Sequence, residues 1–243
     1  MSVFVIAEAG VNHNGSFDLA KKLIKEASQI GADAVKFQTF KASNLTTKYA
    51  ASTEYQKRQN YKSQFKMLSQ LELSYDQFRD LKNYADELGI EFMSSAFDLE
   101  SIEFLKSLQL PVWKIPSGEI TNLPYLRLIS KYANNIILST GMSNLDEIEA
   151  ALNVLSKKDS KISLLHCTSE YPAPKNEINL NAIKKMQSHF KLDIGYSDHT
   201  EGIEVPIAAV ALGATIIEKH FTMDKSMSGP DHASSIEPNE FEL

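Results

Sequence analysis

The sequence has a single cysteine, Cys167, in 243 residues. One thiol cannot form an intramolecular disulfide or the thiolate cage of a structural zinc site. The sequence also lacks long apolar runs, because no segment reaches the ~18 consecutive apolar residues that a membrane span needs. The first residues lack the basic start of a secretory signal. We therefore expect a cytoplasmic protein with no membrane partner, stabilised by its core alone.

An excess of positive charge is missing as well. The net charge is −6 and the lysines are scattered along the chain, so no broad positive field is available to gather nucleic acid. An apolar content of 43% is enough for one sizeable core. We expect one domain that spans residues 1–243 and binds no nucleic acid.

Short apolar runs rich in β-branched residues alternate with longer segments of helical period. This pattern is typical of repeated β-α units around a parallel sheet. The candidate strands are residues 3–7, 34–38, 91–94, 112–115, 136–139, 162–166, 193–197 and 215–221. Because eight parallel strands close a barrel, the sequence predicts an α/β protein with the (β/α)8 TIM-barrel fold.

Two segments break this alternation. Residues 42–73, rich in Lys, Gln, Ser and Tyr, make an overlong connection after the second strand, which predicts a lid or rim of a functional site. Residues 236–241 resemble the first turn of an eighth helix that then stops. Because a closed barrel needs that helix, we expect a barrel truncated there, in a chain that is part of a longer protein or takes its last helix from elsewhere.

Two lysines are predicted to point into the barrel. In residues 34–38 the two apolar side chains share the face toward the helices, so Lys36 and Gln38 face inward, and the same alternation turns Lys114 inward. Buried ammonium groups are costly unless paired. Together they suggest a site for a small dianion, although each could instead reach solvent or pair with a carboxylate such as Glu8.

Two histidines end neighbouring strands, His199 after the seventh and His220 after the eighth. Neutral imidazole is a common ligand for divalent first-row metals, and two of them leave coordination positions open for catalysis. The alternative is a pair of hydrogen-bonded histidines without metal. Glu218 shares the face of His220 and could support that ligand or be a third one.

Other polar residues recur at strand ends. Glu8 and Glu119 are candidate general acids or bases, with ion pairing to the lysines as the alternative role. Serine hydroxyls at the same level can bind phosphate or carboxylate, although each is weak evidence alone. They are Ser94, Ser95, Ser117, Ser139 and Ser197. We expect Cys167 to be a small buried apolar residue.

Seven motifs, in order along the chain, resemble the bacterial N-acetylneuraminate (sialic acid) synthases. They are AEAGVNHNG at 7–15, KFQTF at 36–40, KIPSGE at 114–119, LSTGM at 138–142, YSDHT at 196–200, EKHF at 218–221 and SGPDH at 228–232. The resemblance covers essentially the whole chain. It implies a catalytic barrel that joins C3 of phosphoenolpyruvate to the open-chain aldehyde of N-acetylmannosamine, while water adds at C2 and phosphate leaves by C–O cleavage.

The resemblance also implies roles for individual residues. Phosphoenolpyruvate is expected at Lys36, Ser95, Lys114, Ser117, Ser139 and Ser197. The sugar is expected at Gln38, Tyr171 and Asp231, the reacting carbons near Glu8 and Glu119, and the metal on His199 and His220. The implied metal is Mn²⁺, with Mg²⁺ or Co²⁺ as alternatives. Ser169 departs from the pattern, because some members have an asparagine there that contacts phosphoenolpyruvate.

The family further implies a C-terminal antifreeze-like domain, absent from this chain, that reaches across a homodimer and offers an arginine to the partner's sugar site. Three alternatives stay open. Legionaminic acid synthases share much of the pattern and use a 2,4-diacetamido-trideoxy sugar. A Schiff-base aldolase would use Lys114 or Lys36 as a nucleophile. A non-catalytic barrel would only bind an anion or sugar.

Overall fold

The computed structural model describes residues 2–48, 50 and 63–241. The strands are β1 Phe4–Gly10, β2 Ala34–Thr39, β3 Glu91–Ala96, β4 Trp113–Ile115, β5 Asn135–Ser139, β6 Lys161–Cys167, β7 Asp193–Asp198 and β8 Ile216–His220. The helices are α1 Phe17–Gln29, α2 Ala42–Leu45, α3 Gln64–Leu71, α4 Tyr75–Leu88, α5 Leu99–Ser107, α6 Leu123–Tyr132, α7 Leu145–Leu155, α8 Asn181–Phe190, α9 Glu204–Ala211 and α10 Pro238–Phe241. None of these helices is long and apolar enough to cross a membrane.

The strands form one parallel sheet in the order β3-β2-β1-β8-β7-β6-β5-β4. The two ends of this order, β3 and β4, lie side by side, so the sheet curls into a nearly closed barrel. The predicted (β/α)8 fold is confirmed. The first strand continues to Gly10 rather than ending at residue 7, because Glu8 and Gly10 pair with Lys36 and Phe37 of β2. A search for apolar runs misses such inward-facing polar residues.

Local signals in the sequence set the helix ends. Ser16 caps α1, and its side chain accepts from the backbone N–H of Leu19. Ser74 begins α4 with a capping box, and Gly89 ends that helix in the left-handed region at φ 72°. Asn144 begins α7 with a second capping box. The N-terminal caps satisfy orphan N–H groups, and all these helix ends follow from local residue type and spacing.

The strands present two apolar surfaces. Outward residues such as Val35, Phe37, Trp113 and Ile115 join the large core between the barrel and its helices. A smaller cluster fills the barrel interior with Ile6, Ala34, Met93, Val112, Ile137, Leu165 and Ile216. On β7 the corresponding inward position is occupied by Gly195, which packs against Leu165 and Ile216. We call these eight residues the barrel floor.

The overlong connection after β2 contributes two short helices, α2 and α3, within the described residues. Met67 and Leu71 of α3 pack with Val11 and Phe40 in an apolar cluster that Phe97 borders. This packing places α3 beside the carboxyl ends of the first strands, as expected of a rim. The rest of the predicted lid, at 49 and 51–62, lies outside the described residues.

Gly195 is the position in the barrel floor that tolerates a side chain least. A Cβ there would meet the carbonyl oxygen of Ile216 and lie 2.6 Å from Cδ2 of Leu165. We expect Gly195→Ala to lower the free energy of unfolding by about 1–3 kcal/mol, because overpacking forces the backbone apart. Urea unfolding measures it. The control is Gly118→Ala, where nothing lies within 4 Å; equal losses in both variants would contradict the packing argument.

Candidate active site

A cavity of about 440 Å³ opens at the carboxyl ends of the strands. Its lower wall lies two residues further along each strand than the barrel floor. These residues are Glu8, Lys36, Ser95, Lys114, Ser139, Cys167, Ser197 and Glu218. Because side chains alternate with a period of two, one shift of two residues turns an apolar layer into a chemically active one.

Two lysines and two glutamates form a buried charge cluster in this wall. Lys36 Nζ lies 2.6 Å from Glu8 Oε2 and 3.7 Å from Glu218 Oε2. Lys114 Nζ lies 3.4 Å from Glu218 Oε1 and donates to Ser139 Oγ at 2.8 Å. The predicted inward direction of both lysines is confirmed. The lysines also pair with carboxylates, which was the alternative prediction. Their partners are Glu8, as expected, and Glu218.

The two glutamates are held in different protonation states. Burial raises the pKa of Glu8 to about 7, although Lys36 opposes that shift. Burial acts on Glu218 too, but there the ammonium groups of Lys114 and Lys36 outweigh it and lower the pKa to about 2. Glu218 is therefore ionised at neutral pH, while Glu8 can take up or release a proton there.

The two lysines also differ. Burial lowers the pKa of Lys114 more than Glu218 raises it. For Lys36, the carboxylates of Glu218 and Glu8 outweigh burial and raise the pKa. Lys36 is thus a firmly protonated cation at the centre of the cluster. Lys114 is the less basic of the two, and the carboxylate of Glu218 favours its protonated form.

Several hydroxyls surround the lysines. Ser95 Oγ is buried and has no hydrogen-bond partner in the described part of the chain. Ser197 Oγ donates to Glu218 Oε1 at 3.0 Å. Ser117 Oγ accepts from the backbone N–H of Gly141 at 2.9 Å and lies 3.2 Å from Cys167 Sγ. Cys167 is buried as expected, but it faces the cavity.

The predicted histidine pair meets at the same cavity. The rings of His199 and His220 lie 5.7 Å apart between centroids. The ring of Tyr171 stacks on His199 at 4.1 Å and meets His220 edge-on at 5.5 Å. His199 Nδ1 donates to the carbonyl of Thr168 at 2.6 Å, so Nε2 carries the lone pair, and it lies 3.4 Å from Ser197 Oγ.

Both imidazoles are suited to bind a metal. Burial lowers the pKa of each, which keeps them neutral at pH 7. His220 Nδ1 is buried without a hydrogen-bond partner among the described residues. The described residues contain no group of three His, Cys, Asp or Glu that could hold a metal, and the carboxylate of Glu218 is engaged with the lysines. The pair therefore fits a metal that keeps positions for water and substrate oxygens.

The remaining predicted residues are brought to the same cavity with two exceptions, Glu119 and Ser94. The hydroxyl of Ser94 donates to the carbonyl of Phe37 at 3.1 Å and is not part of the cavity lining. Gln38, Ser169, Tyr171 and Asp231 line the cavity. Gln38 Nε2 lies 3.5 Å from Glu8 Oε1, and burial raises the pKa of Asp231 to about 6. Glu119 is not among the lining residues; its carboxylate accepts from Asn122 Nδ2 at 2.6 Å. The structure therefore gives its predicted acid or base role no support, and that role stays a prediction.

Some lining residues were not anticipated from the sequence. Phe97, Pro116, Gly118 and Met142 all contribute to the wall. Each follows the carboxyl end of a strand by three residues or fewer, which is the signal that could have found them. A search for polar residues misses them, because apolar side chains and glycine carry no reactive group that would mark a site.

The charged groups, hydroxyls and imidazoles converge at the carboxyl ends of the barrel strands. This is the architecture of a (β/α)8 enzyme with one active site. Residues 23–243 match the model of the NeuB family. The chain belongs to this family.

Individual relatives agree with the family. The chain is 57% identical to N,N'-diacetyllegionaminic acid synthase of Campylobacter jejuni, over 98% of this chain and 73% of the relative. It is 51% identical to the enzyme of that name from Legionella pneumophila, over 99% and 69%. The solved N-acetylneuraminic acid (sialic acid) synthetase of Leptospira borgpetersenii in complex with citrate superposes with a TM-score of 0.90 at 36% identity, over 100% of this chain and 81% of that one.

The chain is therefore an enzyme, a synthase of nonulosonic acids. The family resemblance read from the seven motifs is confirmed. The alternative of a non-catalytic binding barrel is wrong.

Gly141 leaves room for the side chains of Ser117, Cys167 and Ser169 in the cavity wall. A Cβ there would collide with Ser169 Oγ and lie 2.9 Å from Cys167 Sγ and 3.0 Å from Ser117 Oγ. We expect Gly141→Ala to weaken phosphoenolpyruvate binding about tenfold, because a methyl group costing ~1.4 kcal/mol displaces these side chains. Calorimetric titration measures the affinity. An affinity equal to that of the parent chain would contradict this assignment.

Proposed function

We propose that this synthase condenses phosphoenolpyruvate with the aldehyde of an N-acetylated aminosugar, with assistance from a divalent metal. The observation that carries the proposal is one cavity lined by two inward lysines and two imidazoles, with hydroxyls between them. Its volume of about 440 Å³ lies within the usual range of small-molecule sites.

Phosphoenolpyruvate is expected at the lysine side. Its phosphate and carboxylate supply the negative charge that stabilises Lys114 and Lys36 in their protonated forms. Hydroxyls complete the contacts: Ser95, Ser139 and Ser197 of the lower wall, with Ser117 and Ser169 elsewhere in the cavity lining. Glu218 balances both ammonium groups before the substrate arrives. The gain from this arrangement is mainly in positioning, because C3 must be held facing the aldehyde.

His199 and His220 would hold the metal, Mn²⁺ in our proposal, with Mg²⁺ or Co²⁺ as alternatives. The metal supplies Lewis acidity toward the aldehyde oxygen and orients the reactants. Tyr171 covers both imidazoles and, with Gln38 and Asp231, bounds the space left for the sugar.

Glu8 is the proposed proton carrier. C3 of phosphoenolpyruvate forms a bond to the aldehyde carbon, and water adds at the electron-poor C2. Glu8 takes one proton from that water and returns it to the former aldehyde oxygen. The bond between C2 and the phosphate oxygen then breaks, and the C2 hydroxyl becomes the ketone oxygen. Phosphate leaves with the proton of that hydroxyl, the second proton of the water. A pKa of about 7 suits a group that must both accept and donate.

The metal assignment predicts that His199→Ala and His220→Ala each abolish Mn²⁺-dependent turnover while the barrel stays folded. Loss of one imidazole leaves a single protein ligand, which cannot retain the ion. Turnover after chelation and Mn²⁺ readdition, with thermal unfolding, measures both effects. His189→Ala, on the exposed last turn of α8, is the matched control. Full activity in either active-site variant would remove the metal assignment.

The Schiff-base aldolase remains the alternative mechanism, and the lowered pKa of Lys114 is the observation in its favour. It demands a covalent bond from a lysine to the substrate carbonyl. Borohydride trapping of a substrate adduct on Lys114 or Lys36, together with full activity after chelation, would establish it in place of the condensation proposed here.

We propose a 2,4-diacetamido-trideoxy sugar as the aldehyde substrate, which makes the chain a legionaminic acid synthase. Two relatives named N,N'-diacetyllegionaminic acid synthase share 57% and 51% identity with it. N-acetylmannosamine, expected from the motifs, is the second candidate, favoured by the likeness to the sialic acid synthetase at a TM-score of 0.90. The antifreeze-like domain, homodimer and cytoplasmic location stay predictions of the sequence.

The choice between the two sugars is tested by comparing kcat/KM on each at saturating phosphoenolpyruvate and Mn²⁺. We expect the diacetamido sugar to be preferred by ten-fold or more, because a pocket built to hydrogen-bond a second acetamido group rejects a sugar that lacks it. A preference for N-acetylmannosamine would make the chain a sialic acid synthase and leave the condensation chemistry unchanged.

A further inference from the structure

A buried ion pair lies directly behind the two imidazoles, on the outer side of the strands. Asp198 precedes His199 and Lys219 precedes His220, and the two residues are register partners across β7 and β8. Lys219 Nζ donates to Asp198 Oδ2, and the side chains are 3% and 0% exposed. The cavity and this pair therefore occupy opposite faces of the same two strand ends.

Thr200 completes this arrangement. Its backbone N–H donates to Asp198 Oδ1 at 3.0 Å, and its hydroxyl donates to the same oxygen at 2.9 Å. Its carbonyl accepts from Lys219 Nζ at 2.8 Å. The three residues form what we call the outer clamp. It ties the residue before His199 to the residue after it and joins both to the neighbour of His220.

The outer clamp constrains the atoms that a metal would need fixed. His199 follows Asp198, the last residue of β7, at a point where a free loop would let its backbone rotate. With both flanking residues bonded to one carboxylate and one ammonium group, that rotation is blocked. Since Lys219 sits in β8 between Glu218 and His220, the same contacts set the separation of the two imidazoles.

We propose that Asp198, Thr200 and Lys219 are positioning residues that set the geometry of the imidazole pair for metal binding. The proposal rests on the metal assignment above. It assigns a purpose to an ion pair that touches neither the cavity nor the substrate. A buried pair is weak evidence for stability in itself, whereas residues behind metal ligands commonly change metal affinity 10- to 100-fold.

The experiment measures Mn²⁺ binding to the metal-free chain without substrate, by the electron paramagnetic resonance signal of free Mn²⁺. Thr200→Val removes the hydroxyl and keeps the side-chain shape, whereas Thr200→Ser keeps the hydroxyl and removes the methyl group. Lys219→Met removes the ammonium group. We expect the dissociation constant to rise at least tenfold in Thr200→Val and Lys219→Met and to stay within about threefold of the parent in Thr200→Ser. Lys175→Met breaks an exposed ion pair with Glu204 and is the control.

The outcomes separate this inference from the proposed function. If the parent chain binds no Mn²⁺, or His199→Ala binds it equally well, the metal assignment fails. If the parent binds Mn²⁺ and Thr200→Val has the same dissociation constant with only a lower melting temperature, the outer clamp is structural and the positioning inference fails. Should Lys219→Met not fold, the two Thr200 variants decide alone.

Discussion

Four buried charges, two ammonium groups and two carboxylates, constrain everything else at the mouth of this barrel. Each would be costly alone in the interior, and each is tolerated because it has an oppositely charged partner within 4 Å. Glu218 contacts both lysines and stays ionised, whereas Glu8 contacts Lys36 and retains a pKa of about 7. The cluster thus keeps the two ammonium groups charged inside the protein before a substrate binds. It also leaves the carboxyl group of Glu8 able to exchange a proton.

The strand period turns this chemistry into geometry. Residues of the barrel floor are apolar or glycine, residues two positions later carry a charge, a hydroxyl or the thiol of Cys167, and the imidazoles come after them. On the outer side, the intervening residues pack against helices or, at the ends of β7 and β8, form the outer clamp. One alternation therefore supplies stability on one face and reactivity on the other.

Much of this could be predicted from the sequence, for physical reasons. Alternation in residues 34–38 fixed the direction of Lys36, and capping residues such as Ser74 and Asn144 fixed helix starts, because both signals are local. The contact of Glu218 with both lysines joins three strands and has no local signature. The displacement of Glu119 from the cavity depends on its turn after β4, where it bonds Asn122 instead. Apolar wall residues such as Phe97 and Met142 were missed because only their position, not their chemistry, marks them.

The barrel floor also limits how reactants and products enter and leave the cavity. Since packed side chains close the interior beneath the charged wall, the described part of the chain leaves reactants and products a route at the strand ends and none through the barrel. The reactant that occupies the deepest position of the cavity must enter before the second reactant and cannot leave while the second one is bound. Under the proposed assignment an anion on the lysines would occupy that deepest position, so steric access rather than relative affinity would set the order of binding.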